Sequence, residues 1–163
     1  MNNLSFHITD ITANSIRANA SEIGLSVEEQ DTRIVIRITD NGSGMDAETA
    51  RRVTNPFYTT RTTRKVGLGI PFLIQNAEQT GGSVTLTSEP GKGTEVRAVF
   101  HSDHIDCPPW GDLPGTVALL ITGNPEINVC FEYRSGETGY SISTNEIKEI
   151  LDGVPLSHPK VML

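Results

Sequence analysis

Residues 33 to 45, Arg-Ile-Val-Ile-Arg-Ile-Thr-Asp-Asn-Gly-Ser-Gly-Met, decide how the chain folds. Ile34, Ile36 and Ile38 alternate with Arg33, Val35 and Arg37, which is the period of a strand with one buried face. At Asp40 the alternation stops, and Asn41-Gly42-Ser43-Gly44 supplies residues that tolerate tight and left-handed backbone. A strand therefore ends on a carboxylate and runs straight into a glycine-rich loop.

Upstream, Leu25 to Glu29 reads as a second strand, joined to Arg33–Thr39 through Asp31-Thr32 as a hairpin. Before it, Phe6, Ile11, Ala13, Ile16, Ala20 and Ile23 recur at roughly helical spacing, which predicts a helix from Phe6 to Ile23 with Gly24 as its stop. Downstream, Asp46 is placed to cap a short helix through Val53. Thr54 to Val66 is polar, rich in threonine and arginine and without either period, and reads as a mobile lid. Gly67-Leu68-Gly69 then opens a second helix carrying Ile70, Phe72, Leu73, Ile74 and Ala77, with Pro71 tolerated in its first turn and Gly81-Gly82 ending it. Ser83–Ser88 and Thr94–Phe100 form a further strand pair across Glu89-Pro90-Gly91-Lys92-Gly93.

After a proline-containing connector, Thr116–Thr122, Val129–Arg134 and Tyr140–Ser143 read as short strands. Asn145–Leu151 reads as a terminal helix capped by Thr144. The expected division is residues 1–101 as the main unit and 102–163 as a small, β-rich C-terminal extension. Trp110, Phe131 and Tyr133 either pack that extension onto the main unit or hold it as a small module of its own. Cys130, in a strand, is expected to be buried.

Composition narrows the class. A chain of 163 residues is long enough to bury one core. A formal charge of -7 would repel a phosphate backbone, so nucleic acid is not an expected partner. No run of about 18 apolar residues and no charged start with an apolar signal segment is present, so no membrane span is expected and the chain reads as cytoplasmic. Cys107 and Cys130 fit neither a disulfide framework nor paired metal-ligand spacing, and free thiols are expected.

Four motifs carry chemistry. Asp10 and Asn14 stand four residues apart on one face of the first helix, where both reach a common site. Magnesium prefers oxygen ligands and keeps places for water and phosphate oxygens, so the Asn14 carbonyl can supply one ligand and Asp10 can orient or deprotonate an attacking water. A solvated helix face would show the same pair. The second motif is Asp40-Asn41-Gly42-Ser43-Gly44-Met45: its carboxylate can accept the exocyclic amino group of adenine while the glycines admit close backbone, although an ordinary tight turn reads the same way. In the third, Gly67-Leu68-Gly69 exposes unpaired amides at a helix N-terminus, a seat for phosphates. It matches neither a Walker A loop nor a dinucleotide fingerprint. The fourth, Gly91-Lys92-Gly93-Thr94, is a hairpin turn whose Thr94 hydroxyl would stand near Asp40 and adenine.

In order and spacing, Asp10–Asn14, Asp40–Met45, Asn55-Pro56-Phe57-Tyr58, Gly67-Leu68-Gly69-Ile70 and Gly91-Lys92-Gly93-Thr94 resemble the N, G1, F, G2 and G3 boxes of the GHKL ATPases. The stretch Asn55-Pro56-Phe57-Tyr58-Thr59-Thr60 is particularly like the histidine kinase branch. The resemblance implies a Bergerat ATP-binding fold, an α/β two-layer sandwich with helices on one face of a mixed sheet. It implies that Asn14 binds magnesium, that Asp40 recognises adenine, and that Gly42, Gly44, Gly67 and Gly69 shape the base and phosphate pockets. Met45, Leu68 and Thr94 belong to the same boxes and are expected against ATP. Arg61, Arg64 or Lys65 of the lid would donate to the triphosphate.

Histidine kinases commonly carry Asn where this chain has Asp10, whereas hydrolysing members carry Glu. Asp10 therefore leans towards hydrolysis or base chemistry. The chain begins almost at the first box, so the helical segment with a phosphorylatable His is not expected, and the family's first strand is missing or reduced before the first helix. His7 is expected to be a structural or surface residue. The leading expectation is a stand-alone, cytoplasmic signalling protein that binds Mg-ATP and transfers phosphate to a protein partner or hydrolyses ATP. The alternative is a nucleotide-gated, anti-sigma-like regulator in which ATP orders the lid and the tail grips a partner without turnover.

Overall fold

Apolar alternation builds one sheet, and the helices close over its apolar face. The computed structural model describes residues 3–54 and 69–151. The elements in chain order are α1 (Leu4–Arg17), β1 (Glu22–Gln30), β2 (Arg33–Asp40), α2 (Ala47–Thr54), α3 (Gly69–Gln79), β3 (Ser83–Glu89), β4 (Gly93–His101), α4 (Leu113–Thr122), β5 (Asn128–Ser135), β6 (Thr138–Ser143) and α5 (Thr144–Leu151). The strands form a six-stranded sheet in the order β3-β4-β2-β1-β5-β6. All neighbours are antiparallel except β1 and β5, which run parallel, so the sheet is mixed.

Successive side chains of a strand point to opposite faces. Ile23, Leu25 and Val27 of β1, Ile34, Ile36 and Ile38 of β2, Val96, Ala98 and Phe100 of β4, and Val129 and Phe131 of β5 are all buried on the face that meets the helices. Leu4, Ile8 and Ile11 of α1, Ile70, Leu73 and Ala77 of α3, and Val117, Leu120 and Ile121 of α4 complete that core. Arg37 and Glu95 pair at 3.0 Å on the opposite face, in solvent. The α/β two-layer sandwich expected from the sequence is therefore the fold.

Several expectations are corrected. The first helix ends at Arg17 and not near Ile23. Asn19 takes left-handed backbone at φ 61°, which stops the helix, and Ile23 belongs to the two-residue period of β1. Thr116–Thr122 lies in helix α4 and is no strand. The Asp112 side chain accepts from Gly115 N at 3.0 Å, Pro114 suits a first turn, and Val117, Leu120 and Ile121 have helical spacing. The last helix is capped by Ser143, whose Oγ accepts from Glu146 N at 3.2 Å, whereas Thr144 is buried and accepts from Val129 N at 3.0 Å. Cys130 is exposed, because its neighbours Val129 and Phe131 take the inward positions of β5.

The C-terminal strands continue the main sheet. β5 lies against β1 from Glu22↔Asn128 to Glu29↔Ser135. Glu29 holds the connector and β5 together, accepting from Trp110 Nε1 at 2.9 Å and from the Tyr133 hydroxyl. The same connector grips the start of α1: Leu4 N donates to Pro109 O at 2.8 Å, and Ser5 Oγ donates to Trp110 O at 2.6 Å.

His7 is structural and buried. Its Nε2 meets Asn76 Nδ2 of α3 at 2.7 Å, its ring lies edge-on to Phe6 and Phe72, and its Nδ1 has no partner among the described residues. Burial disfavours the imidazolium and lowers the pKa below 6.5. The unfolded chain then takes up a proton near pH 6.5 that the folded chain resists, so stability contributed by neutral His7 is present above that pH and is lost as pH falls through it. The slope for one such proton is at most about 1.4 kcal/mol per pH unit. Urea midpoints between pH 7.5 and 5.5 are expected to fall more steeply in the wild type than in His7→Leu, and equal slopes would remove His7 as the cause.

Candidate functional site

The inward columns of the sheet share a common ending. Along β2 the inward residues run Ile34, Ile36, Ile38, Asp40; along β4, Phe100, Ala98, Val96, Thr94; along β3, Val84, Leu86, Ser88. The register aligns Asp40 with Thr94 and Thr94 with Ser88, so three polar side chains fall in one row at the end of an apolar surface. α1 covers this row with Asn14, Ser15 and Arg17. Ser15 Oγ donates to Asp40 Oδ2 at 2.7 Å, and Gly42 N donates to Asp40 Oδ1 at 2.9 Å. Both carboxylate oxygens are thus fixed, and each keeps a further lone pair.

A cavity of about 230 Å3 opens above this row. Ile11, Ile38, Met45, Ile70 and Val96 form its apolar walls, Gly44 lines it with backbone, and Asn14, Asp40 and Thr94 contribute its polar rim and floor. Sites that enclose a whole drug-sized ligand run from roughly 300 to 1,000 Å3. The space beside the described residues therefore suits one flat heterocycle whose polar edge meets Asp40.

Glycines let backbones close around it. A Cβ on Gly44, whose φ is 71°, would fall 1.9 Å from Glu89 O. One on Gly93, at φ 123°, would fall 1.9 Å from Asp40 O. Gly42 is not in the cavity lining, and a Cβ there would fall 2.8 Å from Ala18 Cβ and from Ala18 O. Ser43 N donates to Ala18 O at 2.9 Å and Gly91 N donates to Ser43 O at 2.7 Å, which ties the 41–45 loop to both α1 and the β3–β4 turn.

Asn14 Oδ1 accepts from Arg17 Nη2 at 2.5 Å, beside the cavity. Asp10, one turn earlier, lies outside the cavity lining and is half-buried, and Gly69 is close enough that a Cβ there would meet Asp10 Cβ at 3.3 Å. Burial raises the Asp10 pKa, and the charge of Arg17 opposes that shift. Among the described residues no three His, Cys, Asp or Glu side chains gather as a metal cluster.

The structure thus brings Asn14, Asp40, Gly44, Met45 and Thr94 together, with Asp10, Gly42 and Gly69 packed around them. Arg61, Arg64, Lys65, Gly67, Leu68 and the Asn55–Tyr58 box lie outside the described residues, as does most of the expected lid. Sequence reasoning missed Ser15, Arg17 and Ser88. Ser15 and Arg17 were within reach, as helix neighbours of Asn14. Ser88 shows itself only through the β3–β4 register.

Comparison with known proteins gives the family and the fold. The family described as histidine kinase-, DNA gyrase B- and HSP90-like ATPase matches residues 3–104. Sensor histidine kinase YxdK of Bacillus subtilis (strain 168) is 28% identical over 104 residues, covering 60% of this chain and 32% of that protein. Sensor kinase CckA of Brucella abortus (strain 2308) is 33% identical over 91 residues, covering 55% and 10%. The chain spans a third or less of the length of these relatives. The crystal structure of the N-terminal domain of a DNA repair protein shares the fold at TM-score 0.62 and 16% identity, over 88% of this chain and 52% of that one. No helix among the described residues is long and apolar enough to cross a membrane.

The glycine geometry separates two substitutions. Gly91→Ala, at φ 78° with nothing within 4 Å of the added Cβ, carries only the cost of left-handed backbone, about 1–2 kcal/mol. Gly44→Ala carries that cost and a clash with Glu89 O, so its loss of unfolding free energy in urea is expected to exceed that of Gly91→Ala; equal losses would show that the 41–45 loop is not held against β3.

Proposed function

We propose, for a chain that belongs to the histidine kinase-, DNA gyrase B- and HSP90-like ATPase family, that the cavity above Asp40 takes the adenine of ATP and that the chain is an ATP-dependent signalling component acting on a protein partner. The observation that carries this reading is the Asp40 carboxylate, held by Ser15 and Gly42 at the floor of an apolar cleft with lone pairs left for an amino group. Kinase relatives support the signalling role.

The polar groups of α1 fit a magnesium-bound triphosphate. Magnesium takes a few oxygen ligands and retains water, which suits the single carboxamide oxygen of Asn14. When bound, it screens phosphate charge and polarises the transferred group. Arg17, already donating to Asn14 Oδ1, stands where a phosphate oxygen can take its place as acceptor. Asp10 accepts the proton of an attacking water or hydroxyl, and the rise in its pKa from burial moves it towards useful basicity. The alternative, a nucleotide-gated regulator without turnover, uses the same cavity and the same Asp40 contact.

Calorimetric titration of Mg-ATP is expected to show binding to the wild type and a loss of at least about tenfold in Asp40→Asn, the size of one hydrogen bond to a charged group. Phosphate release on the same samples separates the two readings. Release that disappears in Asp10→Asn supports chemistry at this site; ATP binding with no release and undiminished partner capture supports the gated regulator. A folded wild type that binds no ATP at saturation defeats both.

A further inference from the structure

Ser88 makes three polar contacts at the end of β3. Its Oγ lies 3.0 Å from Gly93 O, 2.8 Å from Met45 N and 2.8 Å from Thr94 Oγ1. A hydroxyl has one proton and two lone pairs. The Met45 amide can only donate and the Gly93 carbonyl can only accept, so the Ser88 proton goes to Gly93. The Thr94 contact must then be donated by Thr94. All three bonds form together only in this arrangement, and it leaves Thr94 Oγ1 with lone pairs alone to turn towards the cavity it lines.

Asp40, which faces Thr94 across the β2–β4 pair, is an acceptor too, since Ser15 gives its proton to Oδ2. Residues directly opposite on antiparallel strands have Cβ atoms about 5 Å apart, which puts the Asp40 and Thr94 side chains side by side. Two acceptors side by side in one row can flank a single amino group and take its two N–H bonds, each of about 2.9 Å.

We propose that Ser88 is a positioning residue that sets base specificity: by taking the Thr94 proton it makes the wall beside Asp40 acceptor-only, which selects a 6-amino purine against a 6-oxo purine. The inference rests on the reading of the cavity as a purine site. A 6-oxo oxygen brings lone pairs to both acceptors and is repelled by each. Without Ser88 the Thr94 hydroxyl turns, and its proton can reach a 6-oxo oxygen while Asp40 still repels it. Discrimination then narrows without vanishing.

The test is calorimetric titration of Mg-ATP and Mg-ITP, which differ at the 6-position and in the N1 proton that accompanies the 6-oxo group, into wild type, Ser88→Ala, Ser88→Thr, Thr94→Val and the Ser88→Ala/Thr94→Val double variant, with circular dichroism to confirm folding. Ser88→Ala is expected to narrow the ATP-to-ITP affinity ratio by about fivefold, the effect of one neutral hydrogen bond. Ser88→Thr, which restores the hydroxyl, restores the ratio relative to Ala. Ser88→Ala has no further effect on the ratio in the Thr94→Val background, where no hydroxyl remains to turn. An unchanged ratio in Ser88→Ala, or equal weakening of both nucleotides, overturns the inference while leaving the ATP site intact. Should Ser88→Ala fail to fold, Ser88→Cys carries the same comparison with the same outcomes, because a thiol accepts hydrogen bonds weakly. A wild type that binds neither nucleotide overturns the purine reading and this inference with it.

Discussion

The bond between Ser15 and Asp40 is the constraint around which the site is arranged. A carboxylate at the end of an apolar strand gives up part of its water as the helix layer closes beside it, and polar groups that lose water without new partners are costly. Ser15 Oγ and Gly42 N replace that water. Their geometry fixes two further relations: α1 must cross the end of β2 with Ser15 facing down, and the chain after Asp40 must turn at once so that the amide two residues on points back. Asn14 and Arg17, on the same helix, are placed by that crossing.

Backbone proximity follows from the same turn. The 41–45 loop lies so close to the β3–β4 hairpin that Gly44 and Gly93 have no room for a Cβ. Their backbone also takes positive φ, which glycine adopts without steric cost. Two short segments, far apart in sequence, thereby form one wall. Met45 N reaches Ser88 Oγ across it, and the same hydroxyl meets Thr94 Oγ1, so one side chain joins the loop after the carboxylate to the β3–β4 pair.

The sequence carried this wall unevenly. The two-residue period of Arg33–Thr39 and the glycine-rich run after it made β2 and its loop legible, and Gly93-Thr94 stood out for the same reason. What stayed hidden depended on register. Ser88 is an ordinary serine in a strand until pairing sets it opposite Thr94, and Ser15 is an ordinary helix serine until α1 is laid over Asp40. The misreading of Thr116–Thr122 has a different cause. Threonine and valine suggested a strand, yet Val117, Leu120 and Ile121 follow the helical period, and Asp112 with Pro114 supplies a helix start. Ile23 misled in the opposite sense, because an apolar residue just past a helix end satisfies both periods.

The C-terminal residues bear on the site through the helix that carries its polar groups. Without β5, strand β1 would be an open edge and its apolar face would be only partly covered. Parallel pairing with β5 and the packing of α4 remove that edge and bury Val129 and Phe131 in the common core. The connector that makes this possible also passes the N-terminus of α1, where Pro109 and Trp110 accept from Leu4 and Ser5. α1 is thus held at its start by the connector and near its end by Asp40. Asp10 and Asn14 lie between those two anchors, so the position of the polar face over the cavity is set by contacts from both halves of the chain.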